Sequence, residues 1–340
     1  MKTIVGLIVL VLTWSACSKD EALPDQEIID FPTPKGFPEP EIPSYNLLTK
    51  AKIALGKKLF FDPILSRDNS ISCNSCHKQS NAFADEQIVS IGVNNQIGFR
   101  NSQPLYNLAW RPSFFRDGGV TNLELTPLNA ITSHVEMDNR IDLIVNRLNK
   151  IPSYQTMFRN AFNDTASTNG VLHAFACFLR TLISADSPYD RFAFSSDIDA
   201  LNASAKRGKE LFFSSRTDCS QCHSGFNFTN NTFQSNASSL IYPDSGRQRI
   251  TLLPEDRGKF LVPSLRNTNF TAPFMHDGSL ANLDSVIEHY NRGGKNFPGK
   301  SPLVRPLNLS FEEKKDLVEF LKSLNDVNFI NNSAFYPTED

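Results

Sequence analysis

The chain has 340 residues, with 34 basic against 36 acidic side chains, a net charge of −2 and no basic run. That balance excludes nucleic acid as a natural partner, because such a surface needs a concentrated basic patch. The length exceeds one compact domain, and an apolar content of 40% is enough to build two cores.

At the amino terminus Lys2 precedes an apolar run from Ile4 to Trp14, followed by Ser15, Ala16 and Cys17. The run is too short to span a bilayer and reads as a signal sequence over residues 1–17. Cys17 then reads as the lipid-bearing first residue of a bacterial lipoprotein, although Trp14 departs from the aliphatic residue usual at that place. The expectation is an exported protein, at the periplasmic face or outer membrane, held to the membrane by a lipid anchor. Residues 18–44 carry Pro24, Pro32, Pro34, Pro38, Pro40 and Pro43 with acidic residues between them. Such a composition predicts an extended tether.

The segment Ala54-Leu55-Gly56-Lys57-Lys58-Leu59-Phe60-Phe61 predicts an amphipathic helix, and Cys73-Asn74-Ser75-Cys76-His77 follows it. Cys-x-x-Cys-His is the attachment signature of a c-type haem: two thiols add to the porphyrin vinyl groups, and the adjoining histidine becomes an axial iron ligand. A second helix is predicted from Val171 to Ile183, with Leu172, Ala176, Leu179 and Leu182 on one stripe. His173 and Cys177 ride on it and are read as packing or surface residues.

Lys206-Arg207-Gly208-Lys209-Glu210-Leu211-Phe212-Phe213 echoes the first helix, and a second motif, Cys219-Ser220-Gln221-Cys222-His223, follows it in turn. A single four-cysteine zinc knot would want the two pairs close together, and each pair here has its own histidine. Short hairpins are predicted between Phe226 and Thr251. Leu283, Val286, Ile287 and Tyr290 share one helical face, with His289 rotated off it. Ser310 and Glu313 form a capping box before Leu317, Val318, Phe320, Leu321 and Leu324, which predicts a closing helix that packs across the first helix of its unit.

The predicted fold is therefore mainly α: two tandem cytochrome c-like domains, over residues 45–198 and 199–328, each with one covalently bound haem c, and a tail over 329–340. Function turns on the second axial position of each iron, since a doubly ligated iron passes electrons and an open one binds substrate. Met137 and Met275 would give two His/Met centres and a non-catalytic electron-transfer cytochrome.

Longer segments give this outline a family. Gly56 to Asp62, the first motif, Arg100-Asn101, Phe115-Arg116-Asp117-Gly118-Gly119, Val135-Glu136-Met137, Val262 to Asn267 and Thr271 to Leu280 together resemble the bacterial di-haem cytochrome c peroxidases, including their MauG type. The resemblance implies an enzyme that reduces hydrogen peroxide to water with electrons from a small soluble cytochrome c or cupredoxin. A MauG-like oxidase of a protein or small organic substrate is the alternative. The implied catalytic residues are His77, behind the first iron, and Glu136, on its open side as the proton-transferring group. Met137 then belongs to the core. With no histidine between Lys78 and Ser133, the first haem is expected to be open in the resting ferric state, with His134 as a residue of the pocket rim.

For the second haem, held by His223, the candidate distal ligands are Met275, His276, His289 and Tyr290. Tyr290 lies fourteen residues beyond His276, at the family's ligand position and in the MauG pattern; Met275 is the second choice. Asn101, Thr271 and Pro273 match positions that hold a calcium ion through a side-chain oxygen and backbone carbonyls. The family leaves room for a homodimer. Three departures stand out: Arg116 replaces the tryptophan usual between the haems, Thr126 replaces a glutamine, and Thr217 replaces the tryptophan through which MauG oxidises its protein substrate.

Overall fold

The computed structural model describes residues 27–337, so the signal sequence, Cys17 and the first part of the proline-rich segment lie outside the described residues. The described helices are α1 (Lys50–Phe61), α2 (Cys73–Cys76), α3 (Thr126–Thr132), α4 (Ile141–Leu148), α5 (Pro152–Phe162), α6 (Thr168–Thr181), α7 (Pro188–Phe194), α8 (Ala203–Phe213), α9 (Cys219–Cys222), α10 (Gln248–Thr251), α11 (Leu283–Asn291), α12 (Phe311–Lys322) and α13 (Val327–Ile330). Two short strands, β1 (Phe233–Gln234) and β2 (Phe260–Leu261), pair antiparallel. No described helix is long and apolar enough to cross a membrane.

Two buried apolar clusters organise these elements, one around Leu55, Leu59, Phe60, Phe83, Phe175 and Phe178, the other around Phe212, Phe228, Leu317, Phe320 and Leu321. Each is built on a pair of crossed helices, α1 on α6 and α8 on α12, and each crossing passes over a glycine. A Cβ on Gly56 would lie 2.0 Å from the carbonyl oxygen of Ala174, and one on Gly208 would lie 1.9 Å from that of Asp316. Real side-chain carbons never approach that closely, so glycine alone lets these backbones touch. The echo between the two Gly-Lys-x-Leu-Phe-Phe segments thus marks one packing solution used twice.

Local signals are realised closely. Ser310 and Glu313 exchange both capping-box bonds, Glu313 N to Ser310 Oγ at 3.2 Å and Ser310 N to Glu313 Oε2 at 2.8 Å. Ser167 caps α6 by accepting from the Gly170 amide, which starts the helix three residues before its predicted Val171. Cys177 is buried, and His173 sits beside the Tyr45 ring at 5.8 Å, both in packing roles.

Three expectations differ from the structure. The proline-rich segment is seated on the body well before Ser44: Phe31 and Phe37 meet the Trp110 ring at 5.3 and 5.1 Å, and Trp110 donates to the Pro38 carbonyl at 2.7 Å. Its aromatic residues bury enough apolar area to dock a chain that prolines have already stiffened. The tail beyond residue 328 is likewise docked, with Phe329 and Phe335 buried against Phe83 of the first cluster at 5.6 and 6.0 Å. Helix α7, expected on the first side of the residue 198 boundary, packs Tyr189 against Phe228 and Phe320 of the second cluster. The strand partner of Phe233 lies at Leu261, beyond the predicted hairpin range, because the intervening loop wraps around the buried Tyr242.

A bidentate pair joins α7 to the loop after β2: Arg266, fully buried, donates to both carboxylate oxygens of Asp190 at 2.7 Å. Leaving one member of such a pair alone in the interior typically costs about 3–5 kcal/mol.

Candidate functional site

Each Cys-x-x-Cys-His segment forms a single helical turn closed by its histidine. In the first, the hydroxyls of Ser72 and Ser75 cap α2 reciprocally, and the His77 amide bonds back to the Cys73 carbonyl at 2.9 Å. Ala82 and Phe83 both take left-handed conformations (φ 51° and 58°). This bend aims the Phe83 carbonyl at His77 Nδ1, 2.9 Å away. The Ser102 hydroxyl lies 3.3 Å from the same nitrogen and donates to the Cys76 carbonyl at 3.1 Å.

In the second motif His223 Nδ1 faces the carbonyls of Phe228 at 3.2 Å and Pro263 at 3.1 Å. A carbonyl on Nδ1 fixes the proton there and leaves Nε2 as the metal-facing nitrogen, the usual arrangement around a ligating imidazole. Burial pulls His77 below the ordinary histidine range and brings His223 down to about 4, so both rings are neutral.

Glu136 is brought to the first motif. Its carboxylate is close enough to add to the burial that pushes Cys73 up to about 12 and Cys76 up to about 11. The Glu136 side chain borders open space, yet the protein around it pushes its carboxyl up, against a lowering hydrogen bond from Ser133. The backbone is clamped from the opposite side, where the Val93 amide donates to the Glu136 carbonyl at 2.9 Å. Gly92 permits this, because a Cβ there would lie 2.3 Å from the Val135 carbonyl oxygen and 2.6 Å from that of Glu136. Met137 turns the other way, into the first cluster, and His134 is exposed.

The second motif opens on a cavity of about 250 Å³ lined by Cys219, Cys222 and His223, with Leu283, Ile287, Met275 and Tyr290 among the facing residues. Two thiols, one neutral imidazole and mostly apolar walls are the donor set and surroundings a covalently attached haem requires, so the residues fit that group. Of the four distal candidates, His276 stacks on Phe260 at 4.1 Å, and His289 Nε2 bonds the Asn236 carbonyl at 2.9 Å. Met275 and Tyr290 converge instead: the Asn236 side-chain amide donates to Met275 Sδ at 3.0 Å and to Tyr290 Oη at 3.4 Å. Burial pushes the Tyr290 phenol up to about 12, helped by the nearby Cys219 and Cys222. Asn236 drew no notice in the sequence, since it sits in a loop with no motif around it.

Also unremarked was a second internal repeat. Phe114 to Leu123 and Phe274 to Leu283 form matching turns, each closed by a bridge (Phe114 with Val120, Phe274 with Leu280) and each with a left-handed residue then glycine: Phe115 and Gly118, Met275 and Gly278. The signal was present as Asp-Gly followed four residues later by Asn-Leu in both copies.

Asn101, Thr271 and Pro273, for which a calcium ion was expected, line the same cavity as Arg116. Arg116 donates to the Asn101 carbonyl through Nε at 3.1 Å and Nη2 at 3.0 Å, and to Asn101 Oδ1 through Nη2 at 2.8 Å. Both oxygens of Asn101 thus accept from a guanidinium. Thr217 is buried, with its hydroxyl bonded to the Leu211 carbonyl at 2.6 Å.

A thiol-pair and imidazole site built twice, with a carboxylate near one copy and a cavity lined by Met275 and Tyr290 at the other, defines a di-haem oxidoreductase. The comparisons carry this to a family. Residues 50–197 match the family model described as di-haem cytochrome c peroxidase. The chain is 38% identical to the methylamine utilization protein MauG of Methylorubrum extorquens over 86% of its own length and 83% of that protein's. It is 33% identical to the cytochrome c551 peroxidase of Pseudomonas aeruginosa over 79% of its length and 77% of that protein's. A crystal structure of a MauG-like protein associated with microbial copper homeostasis superimposes with a TM-score of 0.86 at 30% identity, covering 91% of this chain and 99% of that one. The chain belongs to the di-haem cytochrome c peroxidase family.

Proposed function

We propose that the chain reduces hydrogen peroxide to two waters, consuming two protons and two electrons delivered by a small soluble cytochrome c or cupredoxin. The haems supply the iron chemistry, attached through Cys73 and Cys76 in the amino-terminal domain and through Cys219 and Cys222 in the carboxy-terminal one. His77 and His223, each oriented by a carbonyl on Nδ1, would ligate the irons. Glu136 accepts the proton from the near oxygen of peroxide and returns it to the departing one, a transfer that needs a carboxyl poised close to its working range. With His77 as its ligand and no histidine from Lys78 to Ser133 available as a second one, the first site would be open at rest. Tyr290 would supply the second protein ligand at the His223 site.

The feature that carries this reading is the placing of Glu136 near the first motif, on a backbone held by the Val93 amide, where its charge is felt by the Cys73 and Cys76 thiols. The test is direct. Holoprotein mixed with a reduced cytochrome c or cupredoxin should oxidise two donors per peroxide added; a coloured protein inert to peroxide would instead be an electron carrier. Met137, buried in the first cluster, speaks against that second outcome.

MauG-like oxidation of a protein or organic substrate has the 38% identity to MauG and the tyrosine at position 290 in its favour. Against MauG's own route stands Thr217, a buried hydroxyl that cannot relay an electron. Export and lipid attachment at Cys17 complete the proposal. Replacing Cys17 by serine is expected to move the protein from the membrane to the soluble exported fraction, and an unchanged membrane fraction would defeat the anchor.

A further inference from the structure

We propose that the Arg116 guanidinium is the built-in cation of the Asn101 site, doing there what a calcium ion does in the family pattern, so that the chain holds this junction together without a divalent metal. Asn101 is buried, and every polar group it carries is engaged. Its carbonyl and side-chain oxygens accept from Arg116, its side-chain amide donates to the Gln87 carbonyl at 3.2 Å, and its backbone amide donates to the His276 carbonyl at 2.9 Å. Carbonyl and amide oxygens are the ligands a hard cation takes, and here they converge on a guanidinium.

The charges around Arg116 support the same conclusion. Among the described residues no carboxylate forms an ion pair with it: Asp117 is held by Arg100 at 2.7 Å, and Asp244 by Arg100 at 2.6 Å. Arg116 is therefore a half-buried cation whose direct partners are neutral oxygens, with the Asp277 and Asp244 carboxylates acting on it from farther off. Burial and the like charges of Arg100 and Arg111 bring it down to about 10, which leaves it protonated at neutral pH. A dication on the same oxygens would stand beside this fixed like charge, with Asp244 already paired to Arg100.

The exchange also has a logic in the sequence. The position just before Asp117-Gly118, where the family pattern has an uncharged tryptophan, carries the charge itself in this chain. The junction it closes is wide. Arg116 ties the Asn101 segment to the Phe114–Val120 turn, Asn101 continues to His276 on the second side, and the adjacent Ser102 reaches the Cys76 carbonyl on the first. A guanidinium with a planar fork can replace a metal here because it satisfies two oxygens of one residue at fixed angles, which a lysine ammonium would not.

The experiment uses the holoprotein dialysed against metal-free buffer. Elemental analysis should find calcium far below one per chain, and a calcium chelator should leave the melting temperature and the visible spectrum of both haems unchanged. Arg116→Met should lower the melting temperature and bind one calcium, with partial thermal recovery when calcium is added. Finding one retained calcium in each wild-type chain would overturn the proposal, as would a folded Arg116→Met protein that neither melts lower nor binds calcium. The wild-type calcium content and chelator response decide the matter even if the methionine variant does not accumulate.

Discussion

Glu136→Gln is expected to lower peroxide turnover by about two to four orders of magnitude, the range a positioned general acid–base contributes. Glutamine has nearly the shape of glutamate, so both haems should remain attached with their resting spectra little changed. The loss should therefore appear in kcat and kcat/KM together, as expected for a group that acts in the transition state. Turnover also carries a pH signature. Glu136 works as the carboxylate, and the surrounding protein raises its pKa, so its protonated, inactive form persists to higher pH than for an ordinary glutamate. The acid limb of kcat/KM should accordingly lie above the usual carboxylate range and vanish in Glu136→Gln. An acid limb that survives unchanged in the variant would assign the proton transfer to another group.

The second large effect concerns the ligand across from His223. Tyr290 and Met275 meet the same amide of Asn236, at 3.4 and 3.0 Å, so each stands ready where the other would be lost. A phenolate is hard and anionic and favours ferric iron, whereas a thioether is soft and raises the potential. Tyr290→Phe is therefore expected to change the visible and paramagnetic resonance spectra of the second haem. It should also raise that haem's potential by on the order of a tenth of a volt or more, well within the span that axial ligands command. Met275→Leu should leave both nearly as they are. The opposite pattern, with the leucine variant altered and the phenylalanine variant unaltered, would make Met275 the ligand and the second haem a conventional high-potential donor.

These two experiments test different halves of one arrangement. Glu136 sits on a backbone clamped through Gly92 and Val93 beside the first motif, while Tyr290 projects from α11 toward the second. Arg116 and Asn101 line the cavity that opens on the second motif, and Ser102 beside them bonds the Cys76 carbonyl of the first. A guanidinium is not readily oxidised, so electrons crossing between the haems must pass by another path than the tryptophan the family pattern places there.

By itself the sequence determined everything that rests on short spacings. Two Cys-x-x-Cys-His turns, the repeated glycine of the crossing helices, the Ser310–Glu313 cap and the shared face of Leu283, Ile287 and Tyr290 each need only residues a few positions apart, and local backbone geometry then leaves little choice. Only the tertiary structure decided what depends on distant segments meeting. Phe37 docks where prolines had suggested an extended tether, Phe335 seats the tail on the first cluster, Asn236 reaches both Met275 and Tyr290, and Arg116 takes the oxygens of Asn101. No local rule encodes these contacts, because each is set by which surfaces the packed helices bring together and by the need to satisfy every buried polar group once they meet.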